Sequence, residues 1–140
     1  MSIEPKDILA TAKRLHDGGS TAEADLRSAA SRAYYAALHA SHLALPTDLT
    51  PKAGDLRAKG SHQAVIDAIE LWAKAARPGR MEARVLVHNL CQLRAIRKKA
   101  DYNLTGDFLI KESLDALQYA STVFSEIAHA NKKLGLMPNE

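Results

Sequence analysis

The sequence predicts an all-α protein, an antiparallel helical bundle of about five helices forming one domain over residues 1–140, and three observations carry that expectation. Ala and Leu dominate the apolar residues while Val, Ile, Phe and Trp are sparse, which favours close helix packing over sheets. Apolar side chains recur at three- and four-residue spacings through the long segments. Breakers at Gly18-Gly19, Pro46 to Gly60, Arg77-Pro78-Gly79 and Gly106 divide the chain into helix-sized lengths. At 140 residues with 46% hydrophobic content, the chain suffices for a single packed core.

A first helix is expected from Pro5, a favoured first helical position, to about His16, stopped by Gly18-Gly19 and packed alongside a core of four. Ser20-Thr21-Ala22-Glu23 reads as a capping box, in which Ser20 accepts from the first turn and Glu23 reaches back. The helix it opens should continue to about Leu45. Residues 46–60 read as a long connector or a flexible flap, and both readings stay open. Ser61 can cap a third helix to about Ala76, with Val65, Ile66, Ile69, Leu71 and Trp72 as its apolar surface. A fourth runs from about Arg80 past Ala100. A fifth, from about Asp107 to Lys133, carries Leu109, Leu114, Leu117, Val123, Phe124 and Ile127 at helical spacings, and the tail from 134 to 140 should fray.

The single cysteine, Cys91, excludes an internal disulfide and a cysteine-built zinc site, and its place in a helical pattern reads as a small buried thiol. A cytoplasmic setting is expected. No apolar run approaches the roughly 18 to 20 residues that span a bilayer, and the N-terminus lacks a signal-peptide core. The net charge of +3 is modest, so its distribution matters more than its total. Between Arg80 and Lys99, Arg80, Arg84, Arg94, Arg97, Lys98 and Lys99 stand against Glu82 alone, which makes either a phosphate site or a solvated basic face.

On the second helix, Leu26, Ala30, Ala33, Tyr34, Ala37, Leu38, Ala40, Ala44 and Leu45 fall in one sector, the core contact. Ser28, Arg32, Tyr35, His39 and His42 line the opposite side. That stripe suits phosphate chemistry: Arg32 can grip two oxygens, Tyr35 can stack on a base, and His39 can carry a proton near neutral pH. The His39/His42 spacing permits metal ligation, but no carboxylate or cysteine shares the stripe, so no metal is expected. No cofactor is expected either, because the chain has no Gly-rich phosphate loop, nucleophile elbow or zinc-protease motif. His62 and His88 read as packing or surface histidines.

On the fourth helix, Leu86, Leu90, Leu93 and Arg97 are spaced i, i+4, i+7 and i+11, so Arg97 emerges where the apolar stripe would continue and needs a partner. Asp101 is the nearest. Tyr102 either covers the pair or sits beside a ligand.

The Ser-Arg-x-Tyr-Tyr run at Ser31 to Tyr35, followed by His39-Ala40, the Ser61-His62 helix start and the Arg-x-x-Ala-Asp-Tyr run at Arg97 to Tyr102 together resemble the short stand-alone subfamily of HEPN domains, over about residues 5 to 130. The resemblance implies a homodimer with the fourth helices near the two-fold axis, where Arg97 and Asp101 face a shared basic cleft that binds RNA or a nucleotide. It also implies membership of a toxin–antitoxin or defence module. Many such proteins are metal-independent endoribonucleases that use an arginine and a histidine with four to six residues between them. Here Tyr102, Asn103 and Leu104 occupy those places after Arg97, whereas Arg32 and His39 satisfy the spacing on the second helix. If the protein cleaves RNA, Arg97 and Arg32 grip phosphate, His39 or Asp101 moves the proton, and Tyr35 and Tyr102, with Arg94 and Lys98, contact substrate. The other reading is a non-catalytic partner of a minimal nucleotidyltransferase antitoxin, with Tyr102 as the residue that enzyme would modify.

Overall fold

The computed structural model describes residues 3–18 and 22–135. Among them the chain forms six α-helices and no strand: α1 Pro5–Asp17, α2 Glu23–Ala44, α3 Ala53–Lys59, α4 Ser61–Lys74, α5 Arg80–Tyr102 and α6 Ile110–Lys133. The helix beyond the expected five is α3, which lies inside the segment read as a connector. Two features make it a helix despite Gly54. The Asp55 carboxylate accepts the Lys52 N–H at 3.3 Å, satisfying a donor at the helix start, and Gly60 ends it at φ +81°. A 3-10 turn at Thr47–Leu49 occupies the rest, and Arg77 clamps it by donating to both Asp48 oxygens at 2.8 and 2.9 Å.

Helix α2 is the hub, packed against α1, α4, α5 and α6. Its inward alanines Ala29, Ala30, Ala33, Ala36 and Ala37 are all fully buried, and their small size lets neighbouring helices approach closely. Trp72 and Ile69 of α4, Leu86, Leu90 and Leu93 of α5 and Val123 of α6 complete the core. The α6 surface differs from expectation at its start: the helix begins at Ile110, and Leu109 and Leu114 are exposed. Cys91 is exposed, not buried, because it falls on the side of α5 away from Leu86, Leu90 and Leu93. Leu134 packs against the core rather than fraying, and residues 136–140 of the expected tail lie outside the described residues. No described helix is long and apolar enough to cross a membrane.

Ser20 and Thr21 of the expected capping box also lie outside the described residues. Among the described residues Glu23 reaches across the fold. It turns to the α5–α6 connection, where its carboxylate accepts the Phe108 N–H at 2.6 Å. One turn along, Arg27 donates to the carbonyls of Lys99, Ala100 and Gly106 at 3.0, 2.9 and 2.7 Å, with its guanidinium 5.3 Å from the Phe108 ring centroid. Glu23 and Arg27 thereby cap the end of α5 from outside and fix the residues that follow Tyr102.

Candidate functional site

Leu86, Leu90 and Leu93 carry the buried stripe of α5 to Arg97, whose side chain is only 13% exposed. Its Nη2 donates to the Tyr35 hydroxyl at 2.8 Å and to the Tyr102 hydroxyl at 3.2 Å. Three tyrosine rings surround the guanidinium, with centroids at 5.1 Å (Tyr102), 5.5 Å (Tyr35) and 5.8 Å (Tyr34) from its central carbon, within cation–π range. Nε stands 2.9 Å from Asp101 Oδ2, yet its N–H makes no aligned hydrogen bond, so this contact is an ion pair by distance. The same carboxylate oxygen accepts from Ser31 Oγ at 3.1 Å. Two sequence runs some seventy residues apart thus close on one another: Ser31 and Tyr35 from α2, Arg97, Asp101 and Tyr102 from α5.

Burial opposes the charge on Arg97, but the Tyr35 hydrogen bond and the nearby Asp101 carboxylate outweigh it, so the group is held firmly cationic. Burial raises the Tyr34 hydroxyl above its ordinary range, against the pull of Arg94 and Arg97, and keeps it a neutral phenol.

A histidine that sequence reasoning set aside completes the cluster. His62, in the first turn of α4, places Nδ1 3.3 Å from the Tyr34 hydroxyl, with its ring edge-on to Tyr34 and Tyr35 at 5.5 and 5.4 Å. Burial, then the positive charges of Arg97 and Arg94, hold its pKa below the ordinary 6.5. The unfolded chain therefore binds this proton at a higher pH than the folded chain does. Stability should be full above pH 6.5 and fall as the pH drops from there to the depressed folded value. Denaturant titrations across pH 5 to 7 should show that slope, and His62→Gln should flatten it; an unchanged slope in the variant would assign it elsewhere.

The other expected residues are placed unevenly. Arg94 donates to Gln63 Oε1 at 2.7 Å, and Gln63 in turn donates to Asp67 at 2.8 Å. Lys99 is taken by Glu112 and Arg84 approaches the Ala73 carbonyl, so the basic run is not one face; Lys98 is exposed. Arg80 and Arg84 stand about 25 and about 20 Å along the helix from Arg97, at about 1.5 Å per residue. Arg32 is exposed and makes no hydrogen bond or ion pair among the described residues; it lines a groove with Tyr35, His39 and His42. Among the described residues no hydrogen bond or ion pair joins it to Arg97, and Tyr35 is common to both settings. His39 is exposed, its ring 6.5 Å from that of Tyr35 and 27° from parallel. His88 is exposed. Among the described residues no group of three or more His, Cys, Asp or Glu side chains is arranged to hold a metal ion.

Compared with protein-family models, curated proteins and solved structures, the chain gives no match.

Proposed function

We propose that the chain is a HEPN-type module that binds RNA or a nucleotide at the Arg97 cluster, working as a homodimer and cleaving RNA without a metal. The observation that carries this reading is the convergence of Tyr35, Asp101 and Tyr102 on one largely buried guanidinium, with two histidine rings beside Tyr35. Asp101, held by Arg97 and Ser31, orients the guanidinium. Tyr102, 69% exposed, is the side from which a phosphate enters, exchanging its oxygens for the tyrosine hydroxyl. In cleavage the 2′-hydroxyl proton passes to an imidazole as the 2′-oxygen bonds to phosphorus. The bond from phosphorus to the 5′-oxygen then breaks, with that oxygen taking a proton from a second acid, while Arg97 stabilises the phosphorane charge. His62, its basicity lowered by burial and Arg97, suits the first transfer, and exposed His39 suits the second.

A second reading is favoured by how fully Arg97 is already satisfied. In it the cluster is structural and the exposed Tyr102 hydroxyl is presented to a minimal nucleotidyltransferase. Exposed Leu104, Leu109, Ile110 and Leu114 follow Tyr102 in the chain and offer apolar surface to a partner or a second copy.

Incubation of the pure protein with mixed RNAs decides between them. Cleavage should persist in chelator and fall about 100-fold or more in Arg97→Ala, on the scale of losing a transition-state charge donor, with circular dichroism confirming the fold. Undiminished cleavage in that variant, or chelator-sensitive cleavage, overturns the mechanism. Absence of both binding and cleavage, with nucleotidyl transfer to Tyr102 abolished by Tyr102→Phe, selects the second reading.

A further inference from the structure

A groove of about 540 Å³ runs along the outer face of α2 beside the start of α1, within the size range of small-ligand sites. One wall is aliphatic: Ile3, Pro5, Ile8 and Leu43, of which Ile3 is 78% and Leu43 76% exposed. The other is Arg32, Tyr35, His39 and His42. Among the described residues no carboxylate lines it, and its arginine has no partner. The basic groups are spread rather than gathered: Arg32 and His39 are about 10 Å apart along the helix axis, and His42 is one turn further. Tyr35 lies between them.

This arrangement does not fit a single compact anion. It fits a flat, partly apolar body with an anionic group at each end. We propose that the groove holds one nucleotide unit of a single-stranded RNA, its base against Tyr35 and the aliphatic wall, one flanking phosphate at Arg32 and the other at His39 and His42. This rests on the RNA-binding reading above and deepens it, since it lays the strand along α2, next to the Arg97 guanidinium that Tyr35 also contacts. A sequence-tolerant site of this kind combines base–ring contact with cations that follow the backbone. A duplex, whose bases are already stacked and paired, has no free base to offer.

The test uses adenosine 3′,5′-bisphosphate as probe, titrated calorimetrically into the full chain. The bisphosphate should bind one per chain, and adenosine 5′-monophosphate should bind at least fivefold and adenosine at least 30-fold more weakly. Arg32→Ala and Leu43→Ser should each weaken the bisphosphate at least tenfold while leaving thermal unfolding unchanged, because both side chains are exposed. Equal affinity for the bisphosphate and adenosine, or affinities within twofold of the native protein in both variants, would overturn the placement. Arg97-dependent RNA binding that survives Arg32→Ala would remove this groove and leave the RNA-binding reading standing. No binding of RNA or of the bisphosphate removes both.

Discussion

Arg27→Ala should destabilise the protein by about 2–4 kcal/mol, as expected for removing a buried cation that serves carbonyls of two segments. Arg27 is 8% exposed, and its guanidinium meets three backbone carbonyls. Lys99 and Ala100 are in the last turn of α5, and the Lys99 carbonyl also accepts the Asn103 N–H at 3.1 Å; the third is Gly106, in the connection to α6. Alanine leaves the Ala100 and Gly106 carbonyls without their charged donor. It also removes the cation from Glu23 and from the Phe108 ring. For a chain of this length the melting temperature should fall on the order of 10 °C. Arg27→Lys should recover about half, since an ammonium keeps the charge but lacks the planar fork that spans carbonyls on two segments. A urea-derived loss under 1 kcal/mol for Arg27→Ala would show that water replaces these bonds without penalty. Because the same contacts fix the residues after Tyr102, the variant should also loosen the Arg97 cluster, read as faster amide exchange at Asp101 and Tyr102.

Gly79→Ala should cost about 3 kcal/mol through two additive causes. Gly79 begins α5 at φ +87°, a left-handed conformation that puts a Cβ against the neighbouring carbonyl. An added Cβ would also stand 2.4 Å from Cζ2 of Trp72, which is fully buried and tied by its indole N–H to the Pro78 carbonyl at 3.0 Å. With no exposed edge, the ring can yield only against the neighbours it packs on. Introducing Gly79→Ala into a Trp72→Phe background separates the two causes. Phenylalanine has no Cζ2, so there the added loss should fall to the backbone cost alone, about 1 kcal/mol. An undiminished added loss in that background, in thermal or urea unfolding, would refute the steric contribution from Trp72.

The helices were legible because their signals are local. Apolar spacing and breakers locate α1, α2, α4, α5 and α6 to within a few residues, and Arg97 is marked by interrupting a leucine stripe that proves fully buried. Helix α3 was missed because two glycines and two prolines within fifteen residues outweigh a seven-residue helical tendency, whereas the structure stabilises it through Asp55 and through packing on α4. His62 escaped notice for a different reason. It begins its helix, so no periodicity frames it, and its importance comes from Tyr34 and Tyr35 on another helix.

Glu23, Arg27 and Ser31, spaced four apart on α2, show how far local pattern reaches. A polar line at that spacing announces a face but not what covers it, and polar faces usually meet water. Here α5 and its following turn lie over the line, and each residue takes up a backbone group or side chain seventy to eighty-five residues distant. The sequence by itself determined an all-helical chain with a small-residue hub and an arginine placed at the end of a leucine stripe, because those properties follow from spacing and side-chain size. The tertiary structure alone decided which polar groups are buried together, that Arg97 turns inward to three tyrosines and that Arg32 stands apart in a groove, because pairing across helices depends on the angle and offset at which they pack.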